Sequence, residues 1–236
     1  MKDLTLIIPA KNEPESLPIV LNSLQNLNCK IIISLDEKDS ETINSTRKIN
    51  FEDKIKFFYQ SGSGYGNSLR EAISNCETKF FCIFNADGSF DFKDLKKMYS
   101  SLGQNDFIFA TRYETPGGSE DDTAITFIGN KFFSLLGNIL FSLKISDILY
   151  TFIMGKTESF KILSIISDDF RFCVELPIKI KVANMKYISF PSFESKRIAG
   201  TKKVNNFKDG FLILCKMIEL FFNFKMLGKK NISNKI

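Results

Sequence analysis

Four polar stretches in this chain carry residue types that do chemistry, and each follows an apolar run. Asn85-Ala86-Asp87-Gly88, with Asp91 three residues on, closes the run Phe80–Phe84. A carboxylate there, backed by an amide, can hold a divalent cation against a diphosphate and neutralise the charge of a leaving group. Ala10-Lys11-Asn12-Glu13 follows Leu4–Pro9, and Asp36, with Glu37 and Asp39, follows Lys30–Leu35. Two carboxylate-bearing loops at adjacent strand ends can grip a base and a ribose through hydrogen bonds. Ser61-Gly62-Ser63-Gly64-Tyr65-Gly66-Asn67 packs three glycines into five residues. Such a loop permits close backbone approach to a ligand and opens a helix N-terminus toward phosphate.

Composition narrows the chemistry further. The 236 residues include no histidine, which excludes Ser-His-Asp and Cys-His nucleophile systems and zinc sites built on imidazole. Any metal must be a hard cation held by oxygen, Mg²⁺ or Mn²⁺. The five cysteines are widely spaced without a CxxC pair, so a reducing compartment fits better than a disulfide framework.

The elements that position these loops alternate. Apolar runs at Leu4–Pro9, Lys30–Leu35, Lys56–Tyr59, Phe80–Phe84 and Asp106–Ala110 are separated by helical patterns at Glu15–Leu27, Ser40–Lys48, Asn67–Asn75 and Asp94–Leu102. Strands apolar on both faces and spaced by helices predict an α/β fold, a mostly parallel sheet covered by helices on both faces. Ligands of such sheets sit at the carboxyl ends of the strands, where the polar loops lie. The second half predicts helices at Ile128–Leu143, Val174–Ala183 (with Pro177 in its first turn) and Phe207–Leu227, a short apolar run Ile148–Ile153, and a last strand Lys186–Pro191. The domain boundary falls at 205/206, with residues 206–236 a basic amphipathic helix and tail.

Net charge is +5, but residues 196–236 hold ten Lys/Arg against Asp209 and Glu219, a balance of +8 that leaves −3 for the rest. A basic end on an acidic body suggests an anionic partner. Lys2, Asp3, Lys11 and Glu13 interrupt any secretory leader. The longest uncharged apolar stretch, Phe132–Leu143, is twelve residues between Lys131 and Lys144, against the ~20 needed to cross a bilayer.

Taken in order, Ile8-Pro9-Ala10-Lys11-Asn12-Glu13, Gly64-Tyr65-Gly66-Asn67-Ser68-Leu69-Arg70, Asn85-Ala86-Asp87-Gly88, Thr111-Arg112-Tyr113 and Ile145-Ser146-Asp147 resemble the motif series of family 2 glycosyltransferases. Arg197-Ile198-Ala199-Gly200-Thr201-Lys202-Lys203-Val204 is similar to the Arg-x-x-Gly-x-Ser-Lys run of dolichyl- and polyprenyl-phosphate mannose or glucose synthases. The resemblance spans about residues 4–215. It implies a GT-A fold, a nucleotide-sugar donor (GDP- or UDP-linked), Mg²⁺ or Mn²⁺, and transfer with inversion to a polyprenyl phosphate. It assigns Pro9, Ala10, Asn12, Glu13, Asp36, Gly64, Gly66, Arg70, Asn85 and Ala86 to the nucleotide and Asp87 with Asn85 to the metal. Asp147 falls near the acceptor side, and Arg112, Arg197 and Lys203 look like phosphate contacts.

Three departures from that pattern stand out. Only Asp36 of the usual acidic run after the second strand transfers, Asn85 replaces the first metal acid, and Tyr65 replaces a lysine between the glycines. A lipid phosphate is already anionic and needs no general base, which suits a chain without histidine. A glycan hydroxyl acceptor would need a carboxylate base, with Glu175 or Asp147 the candidates. A non-catalytic nucleotide-sugar or membrane-binding module is the reading of another class. The expected setting is the inner face of the cytoplasmic membrane, peripherally bound: Lys208, Lys216, Lys225, Lys229 and Lys230 would meet anionic headgroups. No nucleic-acid partner is expected.

Overall fold

The computed structural model describes residues 1–47, 49 and 54–233, with side chains to residue 224. Lys48, at the end of the second expected helix, and the side chains of Lys225, Lys229 and Lys230 lie outside the described residues. The first half runs β1 (Leu4–Ala10), α1 (Ser16–Leu24), β2 (Lys30–Leu35), α2 (Ser40–Arg47), β3 (Ile55–Tyr59), α3 (Tyr65–Ser74), β4 (Phe80–Ile83), α4 (Phe92–Ser101) and β5 (Phe107–Thr111). The second half runs β6 (Gly118–Ser119), α5 (Ala124–Phe141), β7 (Ile153–Lys156), α6 (Thr157–Ile162), α7 (Phe172–Val182), β8 (Tyr187–Pro191), β9 (Phe193–Glu194) and α8 (Asn206–Ser233).

Among the described residues seven strands form one sheet in the order β3-β2-β1-β4-β7-β5-β8. All pairs are parallel except those of β7, which runs antiparallel between β4 and β5. The β1 register sets Ile8 opposite Ile33 and Leu6 opposite Cys82, so its pleat feeds two cores at once. Leu4, Leu6 and Ile8 pack with α1 and α4 through Leu17, Leu21, Leu95 and Met98. On the other face Ile7 and Phe81 join α3, α6, α7 and α8 through Leu69, Phe160, Phe172 and Met217. The expectation of a mostly parallel sheet with helices on both faces is met. Pro177 sits inside α7 rather than in its first turn, because the helix begins at Phe172.

Two findings change the picture of the apolar segments. α5 is 18 residues with Lys131 its one charge, long and apolar enough to cross a membrane by length and composition, against the twelve-residue limit expected from the sequence. Lys131 does not end the helix, since lysine is a good helix former, and its ammonium lies over the Tyr113 ring, 4.4 Å from the centroid. α8, in turn, sends Ile213, Met217 and Leu220 into the second core, and Lys216 is buried against Glu219 at 2.9 Å. Lys216 is therefore not a headgroup contact.

The centre of the sheet leaves no spare volume at Gly155 in β7. A Cβ there would stand 2.5 Å from the Phe107 ring and 3.0 Å from that of Phe81. Gly155→Ala should therefore lower stability by about 1–3 kcal/mol, the usual cost of overpacking, read as a reduced urea midpoint with unchanged slope. An unchanged midpoint would mean that the two rings repack without strain.

Candidate functional site

A cavity of about 710 Å³ opens at the carboxyl ends of β1 and β4. Its wall includes Pro9, Ala10, Asn12, Glu13, Gly64, Asn85, Ala86, Asp87, Arg112, Arg197 and Lys203. Four other residues picked out in the sequence, Asp36, Gly66, Arg70 and Asp147, are not on it.

The loop after β1 is held by side chains of the next helix-turn. Asn12 adopts φ 54°, a left-handed conformation that Asn tolerates better than most residues, and its N–H donates to Asp39 at 2.6 Å. The Glu13 N–H donates to Thr42 Oγ1, and its carboxylate accepts from Ser16. After β4, Asp87 Oδ1 accepts the Ser89 N–H at 3.0 Å, fixing the turn and aiming the second oxygen outward. That oxygen lies 3.9 Å from Arg197 Nη1.

Residues 195–203 form a strap across this mouth. Ser195 N–H donates to the Ser89 carbonyl and Ile198 N–H to that of Asp87. Gly88, at φ 81°, leaves room for Ile198, which a Cβ would meet at 2.4 Å. Arg197 is held by Asp121 through Nη2 at 2.6 Å, and Lys203 by Glu13 at 3.3 Å. Both cations keep partial exposure, so anions entering the cavity can compete for them.

Arg112 is a different kind of cation. It is buried, donating from Nε and Nη2 to Asp147 at 2.7 and 2.9 Å and from Nη1 to Glu194 at 2.9 Å. Burial pushes its pKa down, but the bonds and charges of Asp147 and Glu194 push it up further, so the guanidinium stays charged. Asp147 is wholly buried with both oxygens on Arg112, which removes it as a base or acceptor contact. Arg112 contributes to the wall but is committed to these carboxylates rather than free for phosphate.

The glycine loop is also reassigned. A Cβ on Gly64, at φ 108°, would strike the Asp168 carbonyl at 2.2 Å, and one on Gly66 would strike that of Ser167 at 2.4 Å. The Asp168 carbonyl accepts the Asn67 N–H, so one donor of the first turn of α3 is taken by the protein's own backbone, while Gly64 and Tyr65 line the cavity. Arg70 reaches Asp168 at 2.7 Å and ties α3 to the same loop. Asp36 caps its own turn through the Lys38 N–H and faces Lys11 at 3.8 Å.

Glu175 explains why that loop holds its shape. Its carboxylate, fully buried, accepts the N–H groups of Ile166 and Ser167 and pairs with Lys179 at 2.6 Å. It is thus a positioning group, not a solvent-facing base. Burial raises its pKa, and the Lys179 and Ser167 interactions more than offset this, leaving it below the ordinary glutamate value.

Sequence reasoning missed Gln60, Asp121, Asp122 and Glu194, all on the wall. Glu120-Asp121-Asp122 before an apolar helix was a readable signal. Gln60 follows directly on β3, at a strand end like the other site residues. Glu194 had no local signal, because its partners Arg112 and Ser119 come from distant sequence. Past Tyr65 the wall turns apolar, with Ile125 and Phe133 of α5 meeting Phe207 and Ile213 of α8.

Residues 5–163 match the family model described as Glycosyl transferase family 2, and the chain belongs to that family of glycosyltransferases. It is 22% identical over 217 residues to the glycosyltransferase AglJ of Haloferax volcanii, covering 90% of this chain and 70% of that one. Among solved structures, it is similar to glucosyl-3-phosphoglycerate synthase from Mycobacterium tuberculosis in complex with Mn²⁺, UDP and glucosyl-3-phosphoglycerate, with TM-score 0.68, 10% identity and coverage of 92% of this chain and 79% of that one. Mannosyl-3-phosphoglycerate synthase from Rubrobacter xylanophilus gives TM-score 0.66 at 11% identity, covering 96% and 75%. These similarities establish the GT-A fold.

A carboxyl whose folded pKa is depressed contributes stability that is present above its unfolded pKa and lost as pH falls through the folded one. Glu175→Gln should therefore lower the urea midpoint near neutral pH and make the remaining stability less dependent on pH below the glutamate range. A parallel acid decline in wild type and variant would remove Glu175 from that role.

Proposed function

We propose that this chain transfers a sugar from a nucleoside-diphosphate sugar to a polyprenyl phosphate at a membrane surface, with inversion and with Mg²⁺ or Mn²⁺. The observation that carries the reading is the lining of the cavity. It joins Asp87, Asn85, Arg197 and Lys203 with apolar side chains of α5 and α8, Ile125, Phe133, Phe207 and Ile213.

Asp87 and Asn85 present one carboxylate and one amide oxygen, which suits a hard cation. Among the described residues no three His, Cys, Asp or Glu side chains form a metal-binding group. The remaining ligands would therefore come from the diphosphate and water. When bound there, the cation would offset the charge on the departing diphosphate. Lys203 and Arg197 would exchange their present partners, Glu13 and Asp121, for the oxygens of donor and acceptor. An ionised phosphate oxygen forms the bond to C1 as the bond from C1 to the diphosphate breaks, and no proton has to move.

The outer face of α5 supports the membrane setting. Its buried stripe is Asn130, Phe133, Ser134 and Gly137, whereas Ile125, Ile128, Phe132, Leu135 and Ile139 are exposed. α8 adds Phe207, at 86% exposure, together with Phe211, Ile218 and Phe222. This surface moves the proposed contact from the C-terminal helix alone to α5 and α8 together. A second reading comes from the solved structures just described, which are named for phosphoglycerate products. A small phosphorylated hydroxyl acceptor would use the cationic end and leave the apolar wall idle.

Incubation with a panel of UDP- and GDP-sugars, Mn²⁺, and either undecaprenyl phosphate or 3-phosphoglycerate should yield a lipid-linked sugar. EDTA or Asp87→Ala should abolish that product. Product from phosphoglycerate alone would replace the lipid by a small acceptor, and full turnover in excess EDTA would remove the metal.

The membrane part has its own test. The full chain should sediment with phosphatidylglycerol-containing vesicles at low salt, and Ile128→Gln with Leu135→Gln, which removes apolar surface without changing charge, should release it, since both side chains are exposed and neither touches the cavity. Equal recovery of variant and wild type in the pellet would return α5 to another role.

A further inference from the structure

Gln60 directly follows β3 and lines the same cavity as Asp87. In the sheet β3, β2, β1 and β4 are consecutive, so the ends of β3 and β4 lie three strand spacings apart, about 14 Å. An extended nucleoside diphosphate with its phosphates at Asp87 can bridge that span and bring its base to Gln60. The inference rests on the nucleotide-donor reading above.

The side-chain amide of Gln60 has a fixed polarity, and the cause lies outside the cavity. Arg70 Nη2 donates to Asp168 at 2.7 Å and to Asn67 Oδ1 at 2.8 Å. A guanidinium has donors only, so the oxygen of Asn67 must face it. The Asn67 amide nitrogen then points the other way and donates to Gln60 Oε1 at 3.1 Å. Asn67 is buried at 3% exposure, with its amide beside Gly62, where an added Cβ would come within 3.0 Å of it, and both ends of the amide are already hydrogen-bonded. It cannot easily turn over. With Oε1 engaged, Nε2 is the Gln60 atom left to meet a ligand, and it has no acceptor among the described residues.

We propose that the Asp168–Arg70–Asn67–Gln60 chain makes Gln60 a fixed donor that selects the base of the nucleotide. A base that carries a carbonyl at the position read, O4 of uracil or O6 of guanine, accepts the Nε2 hydrogen. Cytosine and adenine carry an amino group at the equivalent position, which sets donor against donor and leaves both unpaired. This chain also gives Arg70, which is absent from the cavity wall, a part in donor choice. It acts through Asn67 and is a positioning residue.

The test is titration calorimetry of the full chain with UDP, GDP, CDP and ADP, each with Mn²⁺. Wild type should bind UDP or GDP at least about tenfold more tightly than CDP and ADP. Asn67→Asp keeps the shape but replaces the donor by an acceptor. Gln60 must then donate to Asp at 67 and turn its oxygen to the base, so the tenfold preference should vanish or reverse. Gln60→Glu presents an acceptor without touching the buried position, and should shift the ranking the same way even if the Asn67 variant fails to fold. An unchanged ranking in Gln60→Glu overturns the proposal while leaving the donor reading intact. If wild type binds none of the four nucleotides, the donor reading falls and this inference falls with it.

Discussion

The buried Arg112 cation is the constraint around which the site is arranged. It joins the end of β5 to the loop that carries Asp147 and to β9, which carries Glu194. Removing one partner of a buried ion pair typically costs about 3–5 kcal/mol, because the other charge stays behind without compensation. Here one cation faces three carboxylates, Asp147, Glu194 and, at 3.9 Å, Asp122, and its guanidinium also lies over the Tyr150 ring at 4.6 Å. The loops on the β5 side of the cavity are thereby fixed relative to the sheet. The cations that could exchange partners with a ligand sit on the strap, and one of them, Arg197, is held by Asp121 beside the Asp122 that faces Arg112.

That division separates two uses of the same chemistry. Arg112 has no freedom left, whereas Lys203 and Arg197 sit on a strap at the mouth, with side-chain exposures of 37% and 20%. Each cation reaches the cavity, so a diphosphate oxygen can take the place of Glu13 or Asp121 and leave the cation paired throughout the exchange. Asp87 and Glu13 face these cations from the sheet side. Opposite charges thus hold the mouth together until a ligand with its own charges replaces one set.

Much of this was legible in the sequence where the physics is local. Strands β1, β2 and β4 are apolar on both faces, and the runs at Leu4, Lys30 and Phe80 mark their starts. Asp87 was legible because a carboxylate at the end of such a strand has few other uses. The partners of Arg112 and Asp147 were not, because they meet across 35 residues and their burial belongs to the folded chain. The glycines at 64 and 66 were read as room for a ligand, and the structure fills that room with the backbone of residues 167–169. β7 went unread because a four-residue run carries no sign of its direction.

The same limit applies to α5, where Lys131 interrupts the apolar pattern in the sequence but not the helix in the fold. In the fold its interior stripe includes Asn130, Ser134 and Gly137, and isoleucines occupy the outside. A helix that only covered a core in water would be arranged the other way round. Each large apolar side chain left in water forgoes roughly 1.5–3 kcal/mol that burial would give, and five of them share this face. Such an arrangement makes physical sense if the outer face meets an apolar phase. The cavity wall of Ile125, Phe133 and Phe207 then becomes continuous with that phase, since these residues belong to the two helices whose outer faces are exposed. Under the proposed reading, a lipid acceptor seated with its phosphate at Lys203 and Arg197 would leave its chain in the membrane, and only the headgroup would have to enter the protein.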